Sequence, residues 1–348
     1  MKRIYFVLMV FMLVNLTGCV TIPNDPALLT FDQSRLPPAD ISLNIPGLGA
    51  CTDNPDRTLH LNSQQPVTVL VHGCFASTGR FRALAEVMAF HGQQTACFTY
   101  NDRDSMMLSS AQLATSLDTL AGQMRNKQIT VVGHSQGALI ARKALVAKRP
   151  DPMRDSEVKL RLVTISGPFS GIASAEQCGS PSPWASVLTL GLVAPLCKIV
   201  SGDKWLEITS ASDFIRQPGE LLGQVQSYLK IVTDERDTCR RFDDAGSCIE
   251  NDYVFSLGEQ YYSPVDEMGV VKNVELKAGH VEIVGDQRVA PVKLIHVLQQ
   301  YGILNQTEAK RSAAFNQLLA RLYLDDFASA SQKTVSDPEI CRVCAHPE

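Results

Sequence analysis

The chain has 348 residues, of which 45% are hydrophobic and 20% are charged, and its formal net charge at pH 7 is −4. This is an ordinary globular composition, with enough apolar side chains for one large core. The slightly acidic balance lacks the basic footprint that proteins use to bind nucleic-acid phosphates, so we expect no nucleic-acid partner.

The first 18 residues have the features of an export signal. Two basic residues precede the apolar run 4–14, which is shorter than the roughly 20 residues that a membrane-spanning helix needs. The Leu-Thr-Gly-Cys stretch that follows resembles the lipobox of bacterial lipoproteins. By that resemblance Cys19 is the lipidated first residue of the mature chain, which is anchored to a membrane of the bacterial cell envelope. Val20 follows in place of the inner-membrane retention Asp, which favours the outer membrane in a bacterium with two membranes.

Export would also place the chain where disulfides persist. Nine cysteines remain besides Cys19, and an odd number leaves at least one thiol free or paired between chains. Spacing alone does not decide the connectivity. Three pairs each close a short segment and are candidates for local bridges: Cys178 with Cys197, Cys239 with Cys248, and Cys341 with Cys344.

Residues 19–65 are rich in Pro, Asn and Asp, which predicts a tether and an irregular lead-in. Between 66 and 300, short apolar runs alternate with segments of helical periodicity, and this predicts one α/β domain whose mostly parallel sheet has helices on both faces. The predicted strands are 67–73, 94–102, 128–135, 158–171, 227–235 and 272–280, and the predicted helices are 80–92, 109–127, 136–148 and 292–302. Residues 301–348 are predicted to be a C-terminal helical segment and a tail.

Residues 175–225 interrupt this alternation. The segment is apolar, with Pro and Gly scattered through it. It is either a loop packed on the core or a cap that borders an apolar substrate pocket, and its position after a predicted strand favours the cap.

One short motif carries the chemistry. Gly133-His134-Ser135-Gln136-Gly137 lies between a predicted buried strand and a predicted helix. A Gly-x-Ser-x-Gly string in that setting is the nucleophile elbow of the α/β-hydrolase superfamily, and the chain resembles its serine lipase and esterase branch. The resemblance implies that Ser135 is the nucleophile and that the backbone amides of Gln136 and Cys74, or Phe75 in place of Cys74, form an oxyanion hole. His72 would support that loop, and no metal or cofactor is implied.

The family order of nucleophile, acid and histidine restricts the remaining residues. Of the three histidines after Ser135, His280 follows the last predicted core strand and is the expected base, whereas His296 and His346 are expected to be surface or packing residues. Asp252 is the expected acid because its surroundings resemble the Asp-x-Val-x-Ser stretch of the lipase branch. Other carboxylates between Ser135 and His280 stay open as alternatives, namely Asp237, Glu259 and Asp266.

The resemblance implies a membrane-anchored serine hydrolase that cleaves carboxylic esters through an acyl-enzyme on Ser135. Two alternatives remain. An acyltransferase would use the same triad with an alcohol or lipid acceptor, and a catalytically silent lipoprotein would use the fold to bind a partner. The sequence does not indicate which ester or lipid is the substrate.

Overall fold

The computed structural model describes residues 36–74, 76–148, 157–175, 204–286 and 288–323. The chain divides into two units, Met1–Phe31 and Asp32–Glu348, and all of the described residues belong to the second. The expected signal peptide, the lipidation site and two of the three candidate cysteine pairs lie outside the described residues. Within the described ranges, no helix has both the length and the apolar character that crossing a bilayer requires.

The strands form where apolar and β-branched residues are concentrated. In the described part of the chain they are β1 (Ile41–Leu43), β2 (Leu48–Gly49), β3 (Leu59–Leu61), β4 (Val67–Val71), β5 (Gln94–Phe98), β6 (Gln128–His134), β7 (Lys159–Ile165), β8 (Val225–Asp234), β9 (Cys239–Phe242), β10 (Cys248–Asn251) and β11 (Val271–Lys277).

Seven of these strands form one sheet in the order β11-β8-β7-β6-β4-β5-β2. All neighbours are parallel except β2, which is antiparallel to β5. All five residues of β4 are buried, as are the last four of β6 and of β7, which is the pattern of strands covered on both faces. The predicted mostly parallel α/β sheet is confirmed.

The helices of the described residues are α1 (Arg82–Phe90), α2 (Met106–Gln123), α3 (Gln136–Ala144), α4 (Lys204–Glu207), α5 (Asp213–Arg216), α6 (Leu257–Gln260), α7 (Ser263–Asp266), α8 (Val292–Gln300) and α9 (Ser312–Leu322). The connection from β4 through α1 to β5 runs toward the β2 edge of the sheet, whereas the connections through α2 and α3 run toward the β11 edge. Right-handed crossovers therefore place α1 on one face and α2 with α3 on the other.

The expected cap, residues 175–225, is described in part, because 176–203 lie outside the described residues. Its remaining portion contains α4 and α5, and Ile208, Phe214 and Ile215 from this portion are buried in the main hydrophobic core. The described part of the segment is therefore packed on the domain.

Two disulfides lie in the described residues. Cys239–Cys248 joins β9 to β10 and confirms one expected bridge. Cys51–Cys97 was not predicted, and it ties the segment after β2 to β5 across 46 residues of sequence. Cys74 is a free thiol.

We expect removal of the Cys51–Cys97 bridge to lower the free energy of unfolding by about 2–4 kcal/mol, because a long loop regains its freedom in the unfolded chain. The matched control is removal of Cys239–Cys248, which spans 9 residues and should cost about 1 kcal/mol less. Urea unfolding of the two double Cys→Ser variants measures both values. An equal or larger loss for the short loop would contradict the loop-closure explanation.

Candidate active site

Ser135 lies at a sharp bend between β6 and α3. Its backbone has φ 56° and ψ −126°, a conformation that is strained for a residue other than glycine. Its N–H donates to the carbonyl oxygen of Ile165 at 2.9 Å, which holds the bend against β7. A Cβ atom on Gly133 would lie 2.3 Å from the backbone oxygen of Gly137, so the strand and the helix can approach this closely only because the first position is glycine. The bend has the geometry of a nucleophile elbow.

The loop after β4 packs directly against this bend. A Cβ atom on Gly73 would come within 2.9 Å of Ser135 Cβ, and Cys74 follows in a turn. Gln136 is the first residue of α3, where a backbone N–H has no partner within the helix. Cys74 follows the glycine that contacts this bend, and Gln136 follows Ser135 directly, so both residues expected to supply oxyanion donors come from segments that meet at the elbow.

His72 supports that loop, as expected from the sequence. Its Nδ1 lies 2.9 Å from the carbonyl oxygen of Gly73, and its ring stacks on Tyr100 with 4.4 Å between the centroids. The Tyr100 hydroxyl donates to the His72 carbonyl oxygen at 2.7 Å. Burial lowers the pKa of His72, so its imidazole is neutral at pH 7.

His280 is held beside the elbow through the residue that precedes Ser135. The Nε2–H group of His134 donates to the carbonyl oxygen of His280 at 2.9 Å, and the two ring centroids are 4.8 Å apart. Burial, together with the neighbouring His280, lowers the pKa of His134 well below its usual range, so His134 acts as a neutral donor. This contact places the turn that carries His280 beside His134, the residue that precedes Ser135.

The imidazole of His280 is oriented by Glu235, the first residue after β8. Nδ1 of His280 lies 2.8 Å from Glu235 Oε1, and the Glu235 side chain is 0% exposed. Because a carboxylate oxygen can only accept here, Nδ1 carries the proton and Nε2 is left as the basic nitrogen. The carboxylate also accepts from the backbone N–H groups of Val254 and Phe255 at 2.7 and 2.8 Å, and from the Thr233 hydroxyl at 3.0 Å. These donors compensate the cost of burying the charge.

Asp252 was expected to be the carboxylate that orients His280, but in the structure that carboxylate is Glu235. The Asp252 carboxylate accepts from the backbone N–H groups of Val281 at 3.0 Å and Glu282 at 2.9 Å, and its carbonyl oxygen accepts from the N–H of His280 at 2.9 Å. Burial raises the pKa of Asp252, while the bonds from these N–H groups oppose that shift. Asp252 therefore holds the backbone around His280 in place, whereas Glu235 accepts the hydrogen bond from Nδ1 of the His280 imidazole.

The other expected candidates also contact groups other than His280. Asp266 pairs with the buried Lys230, and Glu259 closes a capping box with Ser256 at the start of α6. His296 is exposed on α8.

Sequence reasoning missed Glu235 because it assigned this residue to the predicted strand 227–235, whereas β8 ends at Asp234. A carboxylate at the first position after a parallel strand was the signal that could have found it, since ligands and catalytic groups collect at that edge of such sheets.

The sequence profile of the family described as palmitoyl protein thioesterase matches residues 66–238, a span that contains Ser135 and Glu235 and ends before His280. No curated protein sequence was found that matches the chain significantly.

Solved structures with similar coordinates include three hydrolases. A lipase from Bacillus licheniformis in its mature form is 15% identical, with 74% of this chain and 97% of that one covered and a TM-score of 0.44. An esterase from Pyrococcus furiosus is 15% identical, with 78% and 92% covered and a TM-score of 0.41. A putative cell surface hydrolase from Lactobacillus plantarum is 14% identical, with 74% and 98% covered and a TM-score of 0.42.

The parallel sheet, the strained serine after β6 and the matched family profile agree with one another. The chain therefore has the α/β-hydrolase fold with a serine nucleophile elbow, and its matched family profile supports a carboxylic ester hydrolase.

Proposed function

We propose that the protein is a lipid-anchored serine hydrolase that cleaves acyl esters through an acyl-enzyme on Ser135. The observation that supports this best is the 2.8 Å contact between His280 Nδ1 and the buried carboxylate of Glu235, beside the elbow. This contact leaves Nε2 of His280 as the base, which is the state that a serine nucleophile requires.

In the first half of the reaction, Ser135 Oγ attacks the acyl carbonyl carbon while Nε2 of His280 takes the hydroxyl proton. Negative charge develops on the carbonyl oxygen, where the backbone N–H groups of Gln136 and Cys74 stabilise it. His280 then gives its proton to the leaving alcohol, and the acyl group stays on Ser135. The Glu235 carboxylate stabilises the imidazolium.

In the second half, a water molecule replaces the alcohol. His280 takes a proton from the water as it attacks the acyl-enzyme, and returns that proton to Ser135 Oγ when the carboxylic acid leaves. An acyltransferase would differ only here, because an alcohol or lipid acceptor would take the place of water.

The palmitoyl protein thioesterase profile favours acyl thioesters as a second class of substrate. Esters and thioesters present the same acyl carbonyl to the nucleophile, so one site serves both. The apolar composition of the expected cap favours a substrate whose acyl chain is the part that the cap contacts.

The lipid anchor is proposed from the sequence around Cys19. The basic residues, the apolar run and the lipobox-like stretch occur in the order that export and lipidation need. An anchored hydrolase in the cell envelope would meet acyl substrates at the membrane surface.

A fluorophosphonate probe tests the nucleophile. We expect stoichiometric labelling of the native protein at Ser135, located by peptide mass spectrometry, and no labelling of the heat-unfolded control. Unlabelled protein from the same preparation would then be assayed on p-nitrophenyl esters and acyl thioesters of increasing chain length, with and without alcohol acceptors. Hydrolysis that is faster than transfer supports the proposal, dominant transfer favours an acyltransferase, and folded protein that does not label is a silent binding module.

A further inference from the structure

A buried lysine from the expected cap contacts the oxyanion loop. Lys204 is the first residue of α4, and its side chain is 3% exposed. Its Nζ lies 2.7 Å from Cys74 Sγ and 3.2 Å from Asp102 Oδ2. This ammonium group takes no part in the proposed acyl transfer, although it contacts the side chain of Cys74, whose backbone N–H is an expected oxyanion donor.

The surroundings of Lys204 reach the side chains of both residues that are expected to supply oxyanion donors. Burying an ammonium group is unfavourable unless it is paired, and the Asp102 carboxylate provides that pairing. The carbonyl oxygen of Asp102 in turn lies 3.5 Å from Nε2 of Gln136. Burial raises the pKa of Cys74 to about 11, so its sulfur is present as a neutral thiol that accepts from Lys204. Lys204 and Asp102 thus connect the side chain of Cys74 to the side chain of Gln136.

The other end of α4 is attached to the same neighbouring segment. The carboxylate of Glu207 accepts from the Ser105 hydroxyl at 2.5 Å and from the backbone N–H groups of Met106 and Met107 at the start of α2. A carboxylate at a helix N-terminus is stabilised by the free N–H groups there. Contacts at both of its ends therefore hold α4 in place, which fixes the position from which Lys204 reaches Cys74.

We propose that Lys204 is a positioning residue that holds the Cys74 and Gln136 amides in the geometry of the oxyanion hole. The inference rests on the proposed function. Because the oxyanion forms only in the transition state, displaced donors lower kcat and leave KM nearly unchanged. Deleting a donor typically costs about 10²–10³ in rate, and a displaced donor costs less.

The first test compares Lys204→Met with a matched control, Lys143→Met. The Lys143 ammonium donates to the carbonyl oxygens of Phe214 and Gln217, so it anchors the same expected cap away from the oxyanion loop. We expect Lys204→Met to lower kcat by about tenfold to hundredfold with KM within about threefold, and Lys143→Met to change both by less than about threefold. Lys204→Arg, which keeps the charge, should recover part of kcat.

A second measurement does not depend on activity. Amide hydrogen exchange in the peptide that contains Cys74 should be faster in Lys204→Met than in Lys143→Met, because the turn has lost its partner. If Lys204→Met does not fold, Asp102→Asn removes the charge that pairs with the same ammonium and should shift kcat and exchange in the same direction.

The outcomes separate the two proposals. A wild-type protein that turns over no ester contradicts the proposed function, and the exchange comparison then decides the role of Lys204. An active wild type whose Lys204→Met variant matches Lys143→Met in kcat and in exchange overturns the role of Lys204 alone.

Discussion

Replacement of Ser135 by alanine is expected to lower kcat for ester hydrolysis by about 10⁶, because no acyl-enzyme can form without the Oγ atom. The residual rate would come from substrate binding and the oxyanion hole, which this substitution leaves in place. Steady-state kinetics on the best ester of the chain-length series measures the effect, with active-site titration to exclude contaminating wild-type enzyme.

Ser166 offers a matched control for this substitution. It is also a buried serine with positive φ, 48°, at the end of a neighbouring strand, but its hydroxyl bonds to the Thr233 hydroxyl at 2.7 Å. Ser166→Ala should therefore lower kcat by less than about tenfold, since the hydroxyl contributes only to packing and hydrogen bonding. Equal losses in the two variants, or an active Ser135→Ala enzyme, would contradict the role of Ser135.

Replacement of Glu235 by glutamine is expected to lower kcat by about 10⁴. Glutamine keeps the shape of the side chain, but it removes the charge that stabilises the imidazolium and can favour the wrong tautomer of His280. The pH dependence of kcat/KM, together with kcat itself, would show whether the base is impaired or the protein is simply less stable.

Asp252→Asn is the control that separates the two carboxylates near His280. Asparagine can still accept a hydrogen bond from the backbone of Val281 or Glu282, so we expect a loss of roughly tenfold or less. A large loss in Asp252→Asn together with a mild one in Glu235→Gln would show that the hydrogen bond between Glu235 and His280 does not orient the base in solution.

Local patterns were sufficient to predict the sheet and the elbow. Val67–Val71 and Gln128–His134 are short apolar runs followed by glycine-containing turns, and buried parallel strands need little more than that. Ser135 was recognisable because the glycines around it and the flanking strand and helix are all adjacent in sequence.

Choosing between acids needed the tertiary structure. Asp252 and Glu235 are both carboxylates close to His280, and the choice between them depends on where β8 ends and on how the β9–β10 hairpin folds back. One residue of uncertainty at the end of a strand is common, and here it concealed the carboxylate that contacts the imidazole. The Cys51–Cys97 bridge was missed for a related reason, because sequence spacing does not show which distant cysteines meet.

The short antiparallel strand β2 has a consequence for solubility. It covers the outer side of β5 with only two residues, Leu48 and Gly49, and the nearby Cys51–Cys97 bridge keeps it there. A strand this short is a poor template for another chain, whereas an uncovered β5 would present unpaired backbone groups along an apolar edge. Reduction of the Cys51–Cys97 bridge would thus weaken the cover that β2 provides over β5, so the protein would aggregate edge to edge more readily and would also be less stable.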